Sequence, residues 1–400
     1  MKKDVLISVY NMEIGGIERS LINMLESFDY QKYNVNLLIF HHVGEFMSLI
    51  PKTVNVLPEV RKYSVFRKPV TLCIKEKQYS LAFIRVVSKL LAKVKSKSRN
   101  LEEGAGYIQM QLTQKYSSFF IPKLDKEYDV AISFAWPHDI VANKVKAKKK
   151  IAWVHTDYSK LEIDNELDLK VWNQFDAIAA VSDACREAFL STYPTLIKKV
   201  KVVENITSPN FIKKMAEEEL PLNREKSNTF NLVSVGRLSY VKGFDLAIEA
   251  LKQLHNKGLT NIKWYIIGYG GYEKEMKDLI SKHDLNDSFI LLGKKTNPYP
   301  YIKNCDLYVQ PSRYEGKAVT VSEAKILGKP ILITNYPTAP SQIENGVDGM
   351  LCDLSVPGLV KGIKEFYQNQ EMKDILVKNI SNKDYSNSYE LDKLYKIISL

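Results

Sequence analysis

A chain of 400 residues that is 45% hydrophobic and 26% charged is long enough for about two domains with separate cores, and its composition argues against disorder. The formal charge of +11 is local, because residues 61–100 carry twelve Lys or Arg against the single Glu76 and the remainder is neutral. Cys73, Cys185, Cys305 and Cys352 are scattered without a C-x-x-C pair or histidines at ligand spacing, which argues against a disulfide framework or a structural zinc.

The chain opens on DVLISVY (residues 4–10), a run that reads as a strand and not as an export signal. No apolar run reaches the roughly 18–20 residues that span a bilayer, so a cytoplasmic protein is expected. Strands are also predicted at residues 33–40, 129–134, 150–155, 177–182 and 200–205, each short and rich in β-branched residues. Their spacing by helix-length stretches predicts a parallel sheet covered on both faces. The loop NMEIGGIERS (residues 11–20) follows the first strand. Gly15 and Gly16 can take φ > 0 there and admit a close-lying ligand, although G-x-G-x-x-G is absent and a plain β-α turn is the alternative.

Between these strands lies the basic segment 61–100. Phe83, Ile84, Val87, Leu90, Leu91 and Val94 recur at helical spacing, with Arg85, Lys89, Lys93 and Lys97 stepping along a flank. The pattern predicts a basic amphipathic helix that suits an anionic membrane surface, or else a surface helix with its apolar face on the core. Lys144, Lys146 and Lys148–Lys150 extend this patch in the first of these readings.

Residues 207–228 lose the alternation and gather Pro, Lys and Glu, which marks an interdomain linker between an amino-terminal domain (1–206) and a second α/β series (229–378). Strands are predicted at 230–236, 262–268, 288–293, 306–311, 329–334 and 349–353, with helices at 242–253 and 272–282 and a closing helix in 379–400. The expected fold class is α/β, with two Rossmann-like doubly wound domains facing across a cleft at the carboxyl ends of their strands, where such sheets bind ligands.

Three loops of the second series carry candidate chemistry. VGRLSYVKGF (residues 235–244) places Arg237 and Lys242 between a strand and a helix, a clamp for a diphosphate that needs no metal, or otherwise two solvated cations. IIGYGGYEKEM (residues 266–276) has Gly268, Gly270 and Gly271 but Glu273 where a nicotinamide fingerprint needs glycine, and is read as a turn near the ligand. SRYEGKAVTVSEAKILGKP (residues 312–330) holds Glu315 and Glu323 eight positions apart. A helix starting near Lys317 puts them about 12 Å apart, of the order of the span of a sugar nucleotide. Glu315 is then positioned for the transferring sugar, the N–H groups of Gly316, Lys317, Ala318 and Val319 for the diphosphate, and Glu323 for the ribose. Ordinary helix capping is the competing explanation.

VGRLSYVKG together with SRYEGKAVTVSEAKILGKP and the amino-terminal GGIER resembles the retaining, nucleotide-sugar-dependent glycosyltransferases of family 4, which have the GT-B fold. The resemblance implies that Arg237 and Lys242 bind the donor diphosphate, Glu315 the donor sugar and Glu323 the ribose. It further implies that Gly15 and Gly16 lie on the acceptor side near the phosphate, and that the base rests near Leu292, Gly293 and Lys294. WVHTDY is similar to the family's histidine loop and puts His155 beside the reacting sugar, whereas a strand-end hydrogen bond is its bland explanation. Lys317 and Ala318 stand where many members have an aromatic residue followed by a small residue or proline after Glu-Gly, which bears on the donor sugar. The implied activity is metal- and cofactor-independent transfer with retention by front-side attack. The donor is expected to be a UDP-sugar and the acceptor a lipid-linked saccharide at the inner face of the plasma membrane, as in surface polysaccharide assembly. A sugar-nucleotide epimerase or hydrolase of the same fold, and a non-catalytic peripheral membrane protein, are the rival expectations. Nucleic-acid binding is disfavoured because aromatic residues are not interleaved with the basic tract.

Overall fold

Two runs of apolar, β-branched residues seed two parallel sheets, and the chain divides into two units, one of Met1–Ile206 with Ser388–Leu400 and one of Thr207–Asn387. The computed structural model describes residues 2–99, 105–156, 158, 161–219, 229–315 and 318–399. Gly316, Lys317 and residues 220–228 of the expected linker lie outside the described residues.

In the first unit β1 (Lys3–Val9), β2 (Tyr33–Ile39), β3 (Asn55–Val56), β4 (Glu127–Ser133), β5 (Lys146–Val154), β6 (Ala177–Ala180) and β7 (Val200–Val202) lie in the order β3-β2-β1-β4-β5-β6-β7. Val5, Leu6 and Ile7 of β1 are all fully buried, as expected of a strand covered on both faces. The helices are α1 (Gly16–Glu26), α2 (Val70–Lys75), α3 (Tyr79–Arg99), α4 (Gly106–Ser117), α5 (Asp139–Lys144), α6 (Asn165–Trp172) and α7 (Asp183–Thr192). The edge strand β3 escaped sequence detection because two residues carry no periodicity. Three of the lysines expected to extend the basic patch have partners within the first unit. Lys144 donates to the Ser118 carbonyl, Lys148 pairs with Asp129 at 2.7 Å, and Lys150 donates to the Ala142 carbonyl at 2.6 Å.

The second unit orders β8 (Phe230–Val235), β9 (Ile262–Ile267), β10 (Phe289–Gly293), β11 (Leu307–Gln310), β12 (Ile331–Thr334) and β13 (Met350–Cys352) as β10-β9-β8-β11-β12-β13. Its helices are α8 (Pro209–Met215), α9 (Phe244–Asn256), α10 (Glu273–Lys282), α11 (Tyr299–Lys303), α12 (Val319–Ile326), α13 (Val356–Gln368) and α14 (Gln370–Ser381). The sheet's register is locked by a buried relay in which Trp264 Nε1 donates to Ser234 Oγ and that hydroxyl donates to the Val309 carbonyl, at 2.9 and 2.5 Å. Helix α8 falls inside the stretch expected to be linker and packs Phe211, Ile212 and Met215 into this unit. The expected closing helix is α15 (Tyr389–Ser399), which belongs to the first unit. Its Tyr395 ring stacks on Tyr33 at 5.1 Å, and the Tyr395 hydroxyl accepts the Asp29 N–H. All four cysteines are free thiols.

Candidate functional site

Strand order reverses in the second unit between β8 and β11, and doubly wound sheets take ligands at that switch, outside the carboxyl ends of the strands. The two loops leaving these strands are residues 236–243 and, among the described residues, 311–315 with 318, so the topology brings together the segments that the sequence separates by some seventy positions.

Glycine and arginine chemistry fixes this approach. Gly243 has φ +66°, and a Cβ there would sit 1.9 Å from the Pro311 carbonyl oxygen, so only glycine lets the two backbones touch. The Arg313 guanidinium forks onto both carboxylate oxygens of Asp245 at 2.7 and 2.5 Å and lies 3.9 Å over the Tyr240 ring. Its backbone N–H donates to the Val241 carbonyl. The glycines of IIGYGG have a similar structural cause. A Cβ on Gly268 would meet the Gly236 carbonyl at 1.8 Å, and one on Gly270 would meet that of Leu238 at 2.2 Å. They let the third loop pack on the first.

Within this frame three donors converge on one oxygen. Glu315 Oε1 accepts from Lys242 Nζ at 2.5 Å, Ser312 Oγ at 2.6 Å and Gln310 Nε2 at 3.0 Å. Gln310 is held in turn, since its carbonyl accepts from the Tyr308 and Thr320 hydroxyls. Glu315 Oε2 accepts no hydrogen bond among the described residues. Arg237 is exposed and makes neither a side-chain hydrogen bond nor an ion pair among the described residues. A paired ammonium and an unengaged guanidinium thus stand at the same pair of loops. Helix α12 begins beside them at Val319, two residues later than the expected start. The N–H of its Ala318 cap donates to Gln342 Oε1 at 2.9 Å, and the Val319 side chain is exposed.

Glu323 lies in the second turn of α12, fully buried, with its carboxylate accepting from the Tyr299 hydroxyl at 2.9 Å. Leu292 is half-buried, Gly293 has φ +69° at a bulge in β10, and Lys294 reaches over the Tyr269 ring at 5.4 Å. The structure therefore gathers Arg237, Lys242 and Glu315 on two touching loops. It ties Glu323 into the protein.

The first unit presents the remaining residues. Its own reversal lies between β1 and β4. Gly15 caps α1 with an extended φ of −155°, so the glycine pair is not used for a positive φ. A Cβ on Gly15 would instead meet the folded-back Glu18 carboxylate at 2.2 Å, while the space beside Gly16 is open. His155 follows β5, and its Nε2 lies 2.8 Å from the Phe134 carbonyl. A carbonyl only accepts, so Nε2 carries the proton and Nδ1 keeps its lone pair. Burial lowers the imidazole pKa to about 4, and the ring is neutral at physiological pH.

Sequence reasoning missed Ser312, Gln310 and the Arg313–Asp245 fork. Gln310 is buried at the end of β11 and engaged by Tyr308, Ser312, Glu315 and Thr320, a network that residue type and spacing do not announce.

The architecture is GT-B, two Rossmann-like units in tandem. Residues 216–383 match the family model of the glycosyl transferases group 1. An uncharacterised glycosyltransferase of Methanocaldococcus jannaschii is 29% identical over 49% of this chain and 50% of its own length. The amylovoran biosynthesis glycosyltransferase AmsK of Erwinia amylovora is 34% identical over 30% of this chain and 31% of its own. The chain spans about half the length, or less, of these curated relatives. Among solved structures, Anabaena HepE in complex with UDP and glucose superimposes with a TM-score of 0.64 at 18% identity, covering 99% of both chains.

Proposed function

We propose that the chain is a retaining glycosyltransferase that moves a sugar from a UDP-sugar to a saccharide acceptor in surface polysaccharide biosynthesis. One observation carries this reading: an exposed Arg237, without a side-chain partner among the described residues, and the Lys242–Glu315 pair occupy the two loops at the strand-order switch of the second unit. A diphosphate arriving there meets the Arg237 fork and recruits the Lys242 ammonium, so its charge is neutralised without a metal. Glu315 offers Oε2 to the sugar hydroxyls while Oε1 is held by Ser312 and Gln310.

Glu323 would meet the ribose once Tyr299 yields its hydrogen bond, and Leu292, Gly293 and Lys294 would flank the base. Gly316, Lys317, Ala318 and Val319 would line the sugar and phosphate, and the bare Nδ1 of neutral His155 would accept a sugar hydroxyl. Gly15 and Gly16 would face the acceptor. The leaving diphosphate accepts the acceptor's proton as the new bond forms on the face it vacates, so Arg237 and Lys242 stabilise charge that builds in the transition state. A lipid-linked acceptor at an anionic membrane surface would suit the basic segment, with the reaction at the inner face of the plasma membrane.

Incubation with UDP-sugars, a saccharide acceptor and EDTA, followed by NMR of the product anomer, tests the proposal. Axial product from an axial donor is expected. Inverted product, abolition by EDTA, or conversion of the donor without acceptor would each overturn it, the last in favour of an epimerase or hydrolase.

A further inference from the structure

Helix α3 is clothed on one face and bare on the other. Leu81, Ile84, Ser88 and Ala92 are buried towards the first unit, and Ala92 clusters with Ile108 and Leu112 of α4. The opposite face carries Tyr79, Phe83, Val86, Leu90 and Val94 at steps of four, three, four and four residues, and they are 64, 69, 44, 61 and 70% exposed. An outward face of a surface helix is ordinarily polar. The sequence pattern grouped Ile84 with this stripe, but the structure buries Ile84 and leaves an apolar ridge that no described part of the chain covers.

Charge says what covers it. Lys89 and Lys93 are exposed along one edge of the ridge, and Lys97 continues it towards the end of the helix. Helix α3 contains no Asp or Glu. A second copy of the chain docking on this ridge through a two-fold axis would present the same face, whose helix offers lysines and no carboxylate to compensate them. An anionic bilayer supplies both an apolar layer and the counter-charge. We propose that the outward face of α3 is a membrane-docking surface: the helix lies flat in the headgroup region of anionic lipids, with Phe83, Leu90 and Val94 entering the acyl boundary and Lys89, Lys93 and Lys97 on the phosphates. At about 1.5 Å per residue the ridge from Tyr79 to Val94 is roughly 22 Å long, enough to fix the orientation of the unit on the surface. This deepens the membrane part of the proposed function and does not depend on which reaction is catalysed.

The test is co-sedimentation of the full chain with vesicles of phosphatidylglycerol and phosphatidylethanolamine, against vesicles of phosphatidylcholine alone. The wild type should partition onto the anionic vesicles. The triple variant Phe83→Ser, Leu90→Ser and Val94→Ser should lose about a hundredfold in partitioning. Lys89→Glu, Lys93→Glu and Lys97→Glu should cost roughly fivefold or more each, with the loss shrinking at high salt. All four variants should keep the wild-type melting temperature and its rise with UDP, because the substituted side chains are exposed and lie outside the nucleotide loops. A serine variant that sediments like the wild type, a wild type that ignores anionic vesicles, or a wild-type dimer that the serine variant dissolves would each overturn the assignment. Vesicle binding retained by a protein that transfers no sugar would instead overturn the proposed reaction alone.

Discussion

Arg237 and Lys242 differ in what they do before any ligand arrives, and substitution separates the two roles. Arg237 is exposed and engages no partner among the described residues, so Arg237→Ala should leave the melting temperature unchanged while lowering turnover roughly a hundredfold or more. Lys242→Ala should lower turnover comparably and also destabilise the fold, because it strands the mostly buried Glu315 carboxylate whose Oε1 it holds at 2.5 Å. Calorimetry and steady-state kinetics on the two variants check this, and equal melting temperatures for both would contradict the pairing. His155 gives a second handle. Burial lowers its folded pKa to about 4 from an ordinary value near 6.5, so the unfolded chain takes up its proton first as the pH falls. Its contribution is complete above about pH 6.5 and is lost on acidification. The stability advantage of wild type over His155→Gln should therefore shrink between pH 6.5 and 4 by about 1.4 kcal/mol per pH unit. Urea melts that give a constant difference across that window would show that the imidazole is not held neutral.

Among the elements, the two loops at the β8/β11 switch owe their approach to single residues. Gly243→Ala combines a left-handed φ with a Cβ placed 1.9 Å from the Pro311 carbonyl, and should cost ~3 kcal/mol in chemical denaturation. Gly258→Ala has a similar φ of +86° with open space around it, and should cost only about 1 kcal/mol. Equal costs would mean that the loops do not need to touch. This coupling explains what the sequence reveals and what it hides. The strands declare themselves because burial on both faces demands short apolar runs such as VLI in β1 and LYV in β11. The two-residue β3 does not, since an edge strand needs neither length nor pattern. Arg237, Lys242 and Glu315 were legible as charged residues interrupting glycine-bearing strand ends. Asp245 was not, because its partner Arg313 lies 68 positions away along the chain. Ser312 and Gln310 were not, because a hydrogen bond to a carboxylate a few residues further on leaves no signature in residue type or spacing. The glycines of IIGYGG show the converse, a pattern that approaches a nicotinamide fingerprint but arises from the close packing of two backbones.

At the scale of the whole molecule, the proposed function divides the labour: the second unit holds the nucleotide, and the first supplies His155, the acceptor side and the apolar ridge of α3. A tight donor stabilises the folded chain by mass action, so a panel of sugar nucleotides should rank by the rise in melting temperature, with UDP-sugars above other nucleotides. The rise should disappear in Arg237→Ala. The most direct test is a crystal of the protein grown with UDP and EDTA. The account predicts diphosphate density within hydrogen-bonding distance of Arg237 and Lys242, at the loops that follow β8 and β11. Density elsewhere, or density that forms only when a divalent ion is supplied, would contradict it.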